Sequence, residues 1–274
     1  MFQNILEIWR TKKNLILQGP PGIGKTFLAR RLAYSLIGHE AASRVSMIQF
    51  HQSYSYEDFI QGYRPVEGGF ARQDGVFVRF CRSASVDQDS AYVFIIDEIN
   101  RSNLSKVFGE LMMLIEADKR GSKNSLALTY SAFDDEQFYV PPNVYILGMM
   151  NTADRSLALV DYALRRRFAF VDLEPLFGSN VFIDFLVDRG ASPRFAADLA
   201  GRLRSLNRAI AEDQGPGPGF TIGHSYFCGA GAALYERGYA QAIRHEILPL
   251  LKEYRFDDQE RVQEWAEKLG ARFE

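Results

Sequence analysis

Gly19-Pro20-Pro21-Gly22-Ile23-Gly24-Lys25-Thr26 fits G-x-x-x-x-G-K-[ST] at every fixed position. A glycine loop of this form offers backbone N–H groups and a helix N-terminus to an anion, the chemistry of triphosphate binding. Lys25 is placed to reach β/γ oxygens, and the Thr26 hydroxyl suits the shell of Mg²⁺. The nucleotide-holding stretch is therefore Pro21, Gly22, Ile23, Gly24, Lys25, Thr26 and Phe27. The plain alternative is a glycine-rich turn with no ligand.

Further along, Val93-Phe94-Ile95-Ile96-Asp97-Glu98 ends an apolar run in two carboxylates. Phosphoryl transfer needs one acid in the metal shell and one to activate water, both at a strand's end facing the phosphates. Asp97 is the candidate metal ligand and Glu98 the candidate base. Met150-Asn151-Thr152-Ala153-Asp154-Arg155-Ser156 follows another apolar run. Asn151 is suited to orient water or touch the terminal phosphate. Asp154 or Ser156 could instead cap the next helix, and both readings can hold together. Arg165, Arg166 and Arg167 then stand in a row. They cannot all share one helix face. Either they form a solvated basic helix end, or one or two act in trans on a neighbour's phosphate. Arg101 is a weaker candidate for the same interface.

These residues need a scaffold that delivers them to one edge. Strand-like runs at Asn14–Gln18, Ser46–Phe50, Tyr92–Ile96, Val144–Gly148 and Phe168–Val171 alternate with helical patterns, the signature of a parallel α/β sheet. Phe27–Leu36 repeats apolar residues at helical spacing. So do Leu104, Val107, Phe108, Leu111, Leu114 and Ile115, which predict one helix packed on the sheet. Leu126–Val140 reads as a β-hairpin stopped by Pro141-Pro142. After Pro175 helical patterns dominate, for example Arg194–Ile210 and Glu260–Phe273, with Gly215–Gly219 as the most flexible-looking loop. The division expected is an α/β nucleotide-binding part over 1–174 and a small helical part over 175–274.

Thirty-two Lys+Arg against 34 Asp+Glu give a net charge of −2, so global charge selects no polyanionic partner. Cys81 and Cys228 lack metal-ligand spacing and read as small buried hydrophobes. The four histidines are scattered. No basic, apolar leader and no membrane-length apolar run is seen, so the expectation is a soluble cytoplasmic chain.

The order of these motifs resembles the AAA+ ATPase superfamily: phosphate loop, acidic strand end, polar strand end, arginines on the next helix, helical lid. The hairpin before the polar strand end looks like the MoxR/midasin/dynein side of that superfamily. Phe50–Pro65, Met150–Ser156 and Ile222-Gly223-His224-Ser225-Tyr226-Phe227 narrow the likeness to the McrB family, motors of modification-dependent restriction systems. The resemblance runs from about Asn14 to Leu269.

It implies several things that the residues alone do not: GTP rather than ATP as substrate, Mg²⁺, a homo-oligomeric hexamer ring, and stimulation by an McrC-like nuclease subunit acting on DNA. Asn151, Asp154 and Arg155 would then belong to the catalytic loop, with Arg155 coupling it to the partner. Arg165 and Arg166 become the trans-acting pair. His224 and Tyr226 would line the base or sense the phosphates, or else simply pack lid to core. The loop begins at residue 19, so no modified-cytosine reader is expected in this stretch. No Asn-Lys-x-Asp guanine-reading motif is present, and GTP is implied by the resemblance alone. A MoxR-like remodelling ATPase and a non-hydrolysing nucleotide-binding module are the alternatives.

Overall fold

Residues buried on both faces of a sheet read as continuous apolar runs, and Leu15–Leu17 and Val93–Ile96, all at zero exposure, are such runs within a five-stranded sheet. The computed structural model describes residues 2–131, 136–154, 165–229 and 235–270. Strand β1 (Asn14–Gly19) follows helix α1 (Phe2–Lys12), and helix α2 (Lys25–Ile37) follows the glycine loop. Ala29, Leu32 and Ala33 of α2 are buried at helical spacing, so one face packs inward. Strand β2 (Val45–Gln49) leads to a short helix α3 (Tyr56–Phe59) and a hairpin of β3 (Gln61–Val66) and β4 (Gly69–Asp74). Helix α4 (Val76–Val86) precedes β5 (Tyr92–Asp97). Short helices α5 (Leu104–Phe108) and α6 (Leu111–Leu114) come next. The small hairpin of β6 (Leu126–Ala127) and β7 (Gln137–Phe138) precedes β8 (Val144–Asn151), and β9 (Ala169–Asp172) completes the sheet.

The strand order is β2-β5-β8-β1-β9. Strands β2 and β5, and β5 and β8, pair in parallel, with Ile48 opposite Ile96 and Ile96 opposite Gly148. Ile146 N–H donates to Lys13 O, and Thr152 N–H donates to Gly19 O. The residue offset is the same in both bonds, so β8 and β1 are parallel as well. The turns that leave β1, β5 and β8 therefore start from the carboxyl ends of adjacent strands, where open α/β sheets hold ligands.

By internal contacts the chain divides into two compact units: Met1–Gln18, Thr26–Met150 and Ser156–Val171 in one, and Gly19–Lys25, Asn151–Arg155 and Asp172–Glu274 in the other. The first has an aromatic core. Phe59 stacks on Phe77 at 4.9 Å between ring centres and meets Phe108 at 4.8 Å, and Phe77 meets Phe94 edge-on at 5.1 Å. The second is helical beyond residue 172, with Asn180–Asp188, Pro193–Ala211, Tyr235–Ala242, Leu248–Tyr254 and Gln259–Lys268 around Leu203, Leu206, Ile210, Ile247, Leu251 and Trp265. A π-helical turn, Ile243–Ile247, joins two of these helices ahead of Pro249.

Two local expectations are corrected, and one hairpin is found that the apolar pattern does not mark. The apolar stripe from Leu104 to Ile115 is not one helix, because Gly109 takes φ +50° and breaks it in two. The Tyr56 ring fills the space beside Gly109, and its hydroxyl donates to Glu110 at 2.5 Å. The last helix stops at Lys268, since Gly270 takes φ +71° and ends it in the left-handed manner common after helices. The β3–β4 hairpin lay unread within Gln61–Asp74, although Glu67-Gly68-Gly69 is a turn signal. The expected hairpin at Leu126–Val140 is present as the antiparallel β6–β7 pair. Ala132–Asp135 at its centre lies outside the described residues.

The loop expected to be flexible is tied at several points. Asp213 accepts from Gly215 N–H at 2.8 Å and pairs with Arg255 and with Arg261, the latter at 3.0 Å. Burial raises the Asp213 pKa, but these donors outweigh it and leave the carboxyl below its ordinary value. Among the described residues, no helix is long and apolar enough to cross a membrane.

Candidate nucleotide site

The loop between β1 and α2 is shaped by its glycines. Gly22 and Gly24 take φ +73° and +76°, which side-chain-bearing residues rarely adopt. Lys25 opens α2 and folds its ammonium back onto the loop, donating to Gly19 O at 2.8 Å and Pro20 O at 2.9 Å. Two other segments of the same unit close on it. Thr152 N–H donates to Gly19 O at 3.2 Å, and the Thr152 hydroxyl donates to Gly219 O at 3.0 Å. Gly223 N–H donates to Pro21 O at 3.1 Å, and Ser225 N–H to Gly22 O at 2.7 Å. The loop, the Asn151–Asp154 turn and the His224–Tyr226 turn are thus brought together by main-chain bonds.

Within this cluster the predicted side chains have definite places. Asn151 ends β8, and its Oδ1 accepts from Ala153 N–H at 3.2 Å, an Asx turn that sets the direction of the segment. Asp154 is half-buried, and Arg155 lies outside the described residues. The Tyr226 ring lies so close to Gly22 that a Cβ on Gly22 would fall 2.3 Å from it. His224 Nδ1 accepts from Leu176 N–H at 3.3 Å, and its ring meets Phe182 edge-on. Neither Gly223 nor Thr152 was singled out from sequence. Their part is played by main-chain atoms or a small hydroxyl, which no motif records.

Burial holds the His224 imidazole below its ordinary value. Its folded pKa is thus lower than the unfolded value of 6.5, so unfolding takes up a proton between the two. The stability this contributes is full above the unfolded value and is lost as pH falls through the folded one. Thermal melting at about pH 5 should therefore begin lower than at about pH 7.5, and His224→Gln should flatten that difference. Equal pH slopes in the two proteins would assign the effect to another group.

In the other unit, β5 carries Val93, Phe94, Ile95 and Ile96 at zero exposure and delivers Asp97 and Glu98 at its end. Asp97 Oδ1 accepts from Glu98 N–H at 3.0 Å. Glu98 has φ +50° and ψ +45°, a left-handed backbone in a residue that is not glycine. Such strain, on the order of 1–3 kcal/mol, persists only where surrounding structure imposes it and gathers at working sites. Arg101 Nε donates to Glu98 Oε2 at 3.2 Å, so Arg101 serves its own chain's carboxylate. Thr26 and Phe27 lie on the exposed side of α2, with the Arg31 guanidinium 4.8 Å over the Phe27 ring.

The three arginines separate by environment. Arg167 is one-tenth exposed and donates to Met112 O at 2.6 Å and Glu116 Oε1 at 3.0 Å. Arg166 is 70% exposed, with Glu116 Oε1 at 3.5 Å. Arg165 lies exposed over the Phe170 ring, 5.7 Å to its centre. Asp97 with Thr26 supplies carboxylate and hydroxyl oxygens, a donor set that fits a hard divalent cation such as Mg²⁺.

Strand order, glycine loop and acidic strand end define a P-loop nucleoside-triphosphatase domain. The chain belongs to the AAA domain family, dynein-related subfamily, whose model matches residues 14–168. The model of the McrB alpha-helical lid domain matches residues 198–263. The chain is 56% identical over 271 residues to the EcoKMcrB subunit of the type IV methyl-directed restriction enzyme of Escherichia coli (strain K12), covering 97% of this chain and 59% of the relative. It is 26% identical over 197 residues to component YdiS of the type II restriction enzyme BsuMI of Bacillus subtilis (strain 168), covering 59% of this chain and 57% of that one. It thus spans less than two thirds of the length of these relatives. A solved structure of a proposed ATPase from Cytophaga hutchinsonii matches with a TM-score of 0.42 and 17% identity, over 77% of this chain and 61% of that one.

Proposed function

We propose that this chain is a Mg²⁺-dependent GTP-hydrolysing motor that works as a homo-oligomeric ring, a hexamer by family resemblance. In this reading it drives an McrC-like nuclease subunit along DNA in modification-dependent restriction. The large part, 1–174, binds and hydrolyses the nucleotide, and 175–274 forms the helical lid. The observation that carries the hydrolytic reading is the left-handed backbone of Glu98 directly after Asp97. The restriction role and the base preference rest on the 56% identity to the EcoKMcrB subunit.

Pro21 to Phe27 cradle the phosphates, and Lys25 exchanges its loop carbonyls for β/γ oxygens. Asp97 and the Thr26 hydroxyl would hold Mg²⁺, which would supply charge neutralisation at the phosphate oxygens. Glu98 takes a proton from the attacking water, and Asn151 orients that water against the terminal phosphate. Asp154 and Arg155 hold the Asn151 loop and pass the partner's influence to it. His224 and Tyr226, beside the glycine loop, register its occupancy. Arg165 and Arg166 act on the neighbouring protomer's phosphate.

Hydrolysis measured with GTP and ATP in competition, with and without the nuclease partner, tests this. The expected result is GTP preference, slow basal turnover and stimulation by the partner. A clear ATP preference would overturn the restriction-motor reading and favour a remodelling ATPase. Absence of turnover even with the partner would leave a binding module.

A further inference from the structure

The backbone of the arginine run is tied down by side chains from far earlier in the chain. Asn14 opens β1 at zero exposure. Its Nδ2 donates to Arg167 O at 3.0 Å and to Ile115 O at 2.8 Å. Its Oδ1 accepts from Arg120 Nη2 at 2.7 Å. Arg120 is itself buried and donates onward to Ile115 O at 2.9 Å and Val144 O at 3.0 Å. Lys12 Nζ donates to Arg166 O at 2.6 Å. Glu116 receives Arg167 at 3.0 Å and stands 3.5 Å from Arg166.

Placing two buried polar side chains costs stability unless every group finds a partner. Here the partners include the carbonyl of Arg167, so the network's effect is to fix where the preceding residues emerge. The anchor lies at the amino end of β1, one strand length, on the order of 16 Å, from the end that enters the glycine loop. Arg165 and Arg166, held beside that anchor, are exposed, so their guanidinium groups are open to a surface contact.

We propose that Asn14, Arg120 and Glu116 are positioning residues that fix Arg165 and Arg166 for action on a neighbouring protomer. This rests on the trans-acting role given to those arginines above. It adds that Arg167, the third of the run, is part of the anchor and never reaches the neighbour's nucleotide.

Mixed-ring hydrolysis separates the possibilities. Asn14→Ser and Glu116→Gln should each lower kcat by about tenfold, in line with the cost of small misplacements of a catalytic group, with KM for nucleotide nearly unchanged. Each should regain turnover when mixed with Lys25→Ala protein, whose loop is disabled but whose arginines are intact. Arg167→Lys should behave as the anchor variants do. Glu116 is partly exposed, so Glu116→Gln keeps the test open if Asn14→Ser does not fold. With mixed assembly confirmed by size, no regain by the anchor variants while Arg166→Ala regains would overturn the positioning role. No regain by Arg166→Ala itself would overturn the trans reading and the anchor with it. A KM change equal to the kcat loss would also overturn it, placing the defect in the variant's own loop.

Discussion

Glu98→Gln should abolish most turnover while leaving nucleotide binding intact, with kcat lower by on the order of 10²- to 10⁴-fold, the usual contribution of a positioned base. Glutamine keeps the size and the left-handed backbone demand of residue 98, where φ is +50°. It also keeps an oxygen for Arg101 Nε, 3.2 Å away in the native chain. What it removes is the capacity to take a proton. Asp97 Oδ1, which accepts the main-chain N–H of residue 98, is untouched. Single-turnover hydrolysis alongside a binding titration reads both quantities. Turnover within a few-fold of the native protein would show that Glu98 is not the base and that proton removal occurs elsewhere.

The second large effect is expected at Gly223, a residue with no side chain to offer. Its φ of −80° and ψ of 161° suit any amino acid, so an alanine there meets no backbone strain. The obstacle is space. A Cβ on Gly223 would lie 2.0 Å from both the carbonyl carbon and oxygen of Gly22 and 2.5 Å from Ile23 N. These are main-chain atoms of the phosphate loop and cannot swing aside. Gly223→Ala must therefore push the segment off the loop and stretch the bonds from Gly223 N–H to Pro21 O and from Ser225 N–H to Gly22 O. A cost of about 1–3 kcal/mol is expected from such overpacking, with a Tm lower by several degrees. Nucleotide affinity should fall as well, because the part displaced is the loop proposed to cradle the phosphates. Gly201→Ala is the matched control. It sits within the helix Pro193–Ala211 with nothing within 4 Å of an added Cβ, and should be neutral or stabilising by up to about 1 kcal/mol. Equal behaviour of the two variants in melting and binding would refute the close approach.

Much of the scaffold was legible because its signals are local. The alternation of apolar runs and helical stripes marked all five sheet strands, four of them to within a residue at each end, while Val144–Asn151 runs three residues past the expected Gly148. The helix at Pro193–Ala211 was equally plain, with Leu199, Leu203, Leu206 and Ile210 buried at helical spacing. The misread helix at Leu104–Ile115 has a specific cause. Periodicity counts apolar residues and is blind to one glycine with φ +50°, whose missing side chain leaves room for the Tyr56 ring. The short β3–β4 hairpin escaped for a related reason: Tyr63, Val66 and Phe70 are exposed there, so no buried alternation marks it.

The site divides in the same way. By itself, the sequence determined that a glycine loop of the phosphate-binding pattern, an acidic strand end and a polar strand end each follow an apolar strand, because residue type and spacing within a few positions carry that information. Tertiary structure alone decided four further matters. It set β8 between β1 and β5, and it gave Glu98 its left-handed backbone. It pressed Gly223 against Gly22, a contact across two hundred residues made by atoms that every amino acid possesses. It also sorted three identical arginines into one anchored by Met112 O and Glu116 and two left facing solvent. Three equal letters in a row cannot encode that difference. It arises only when Asn14, Lys12 and Glu116, distant along the chain, converge on the backbone and side chains of one short turn.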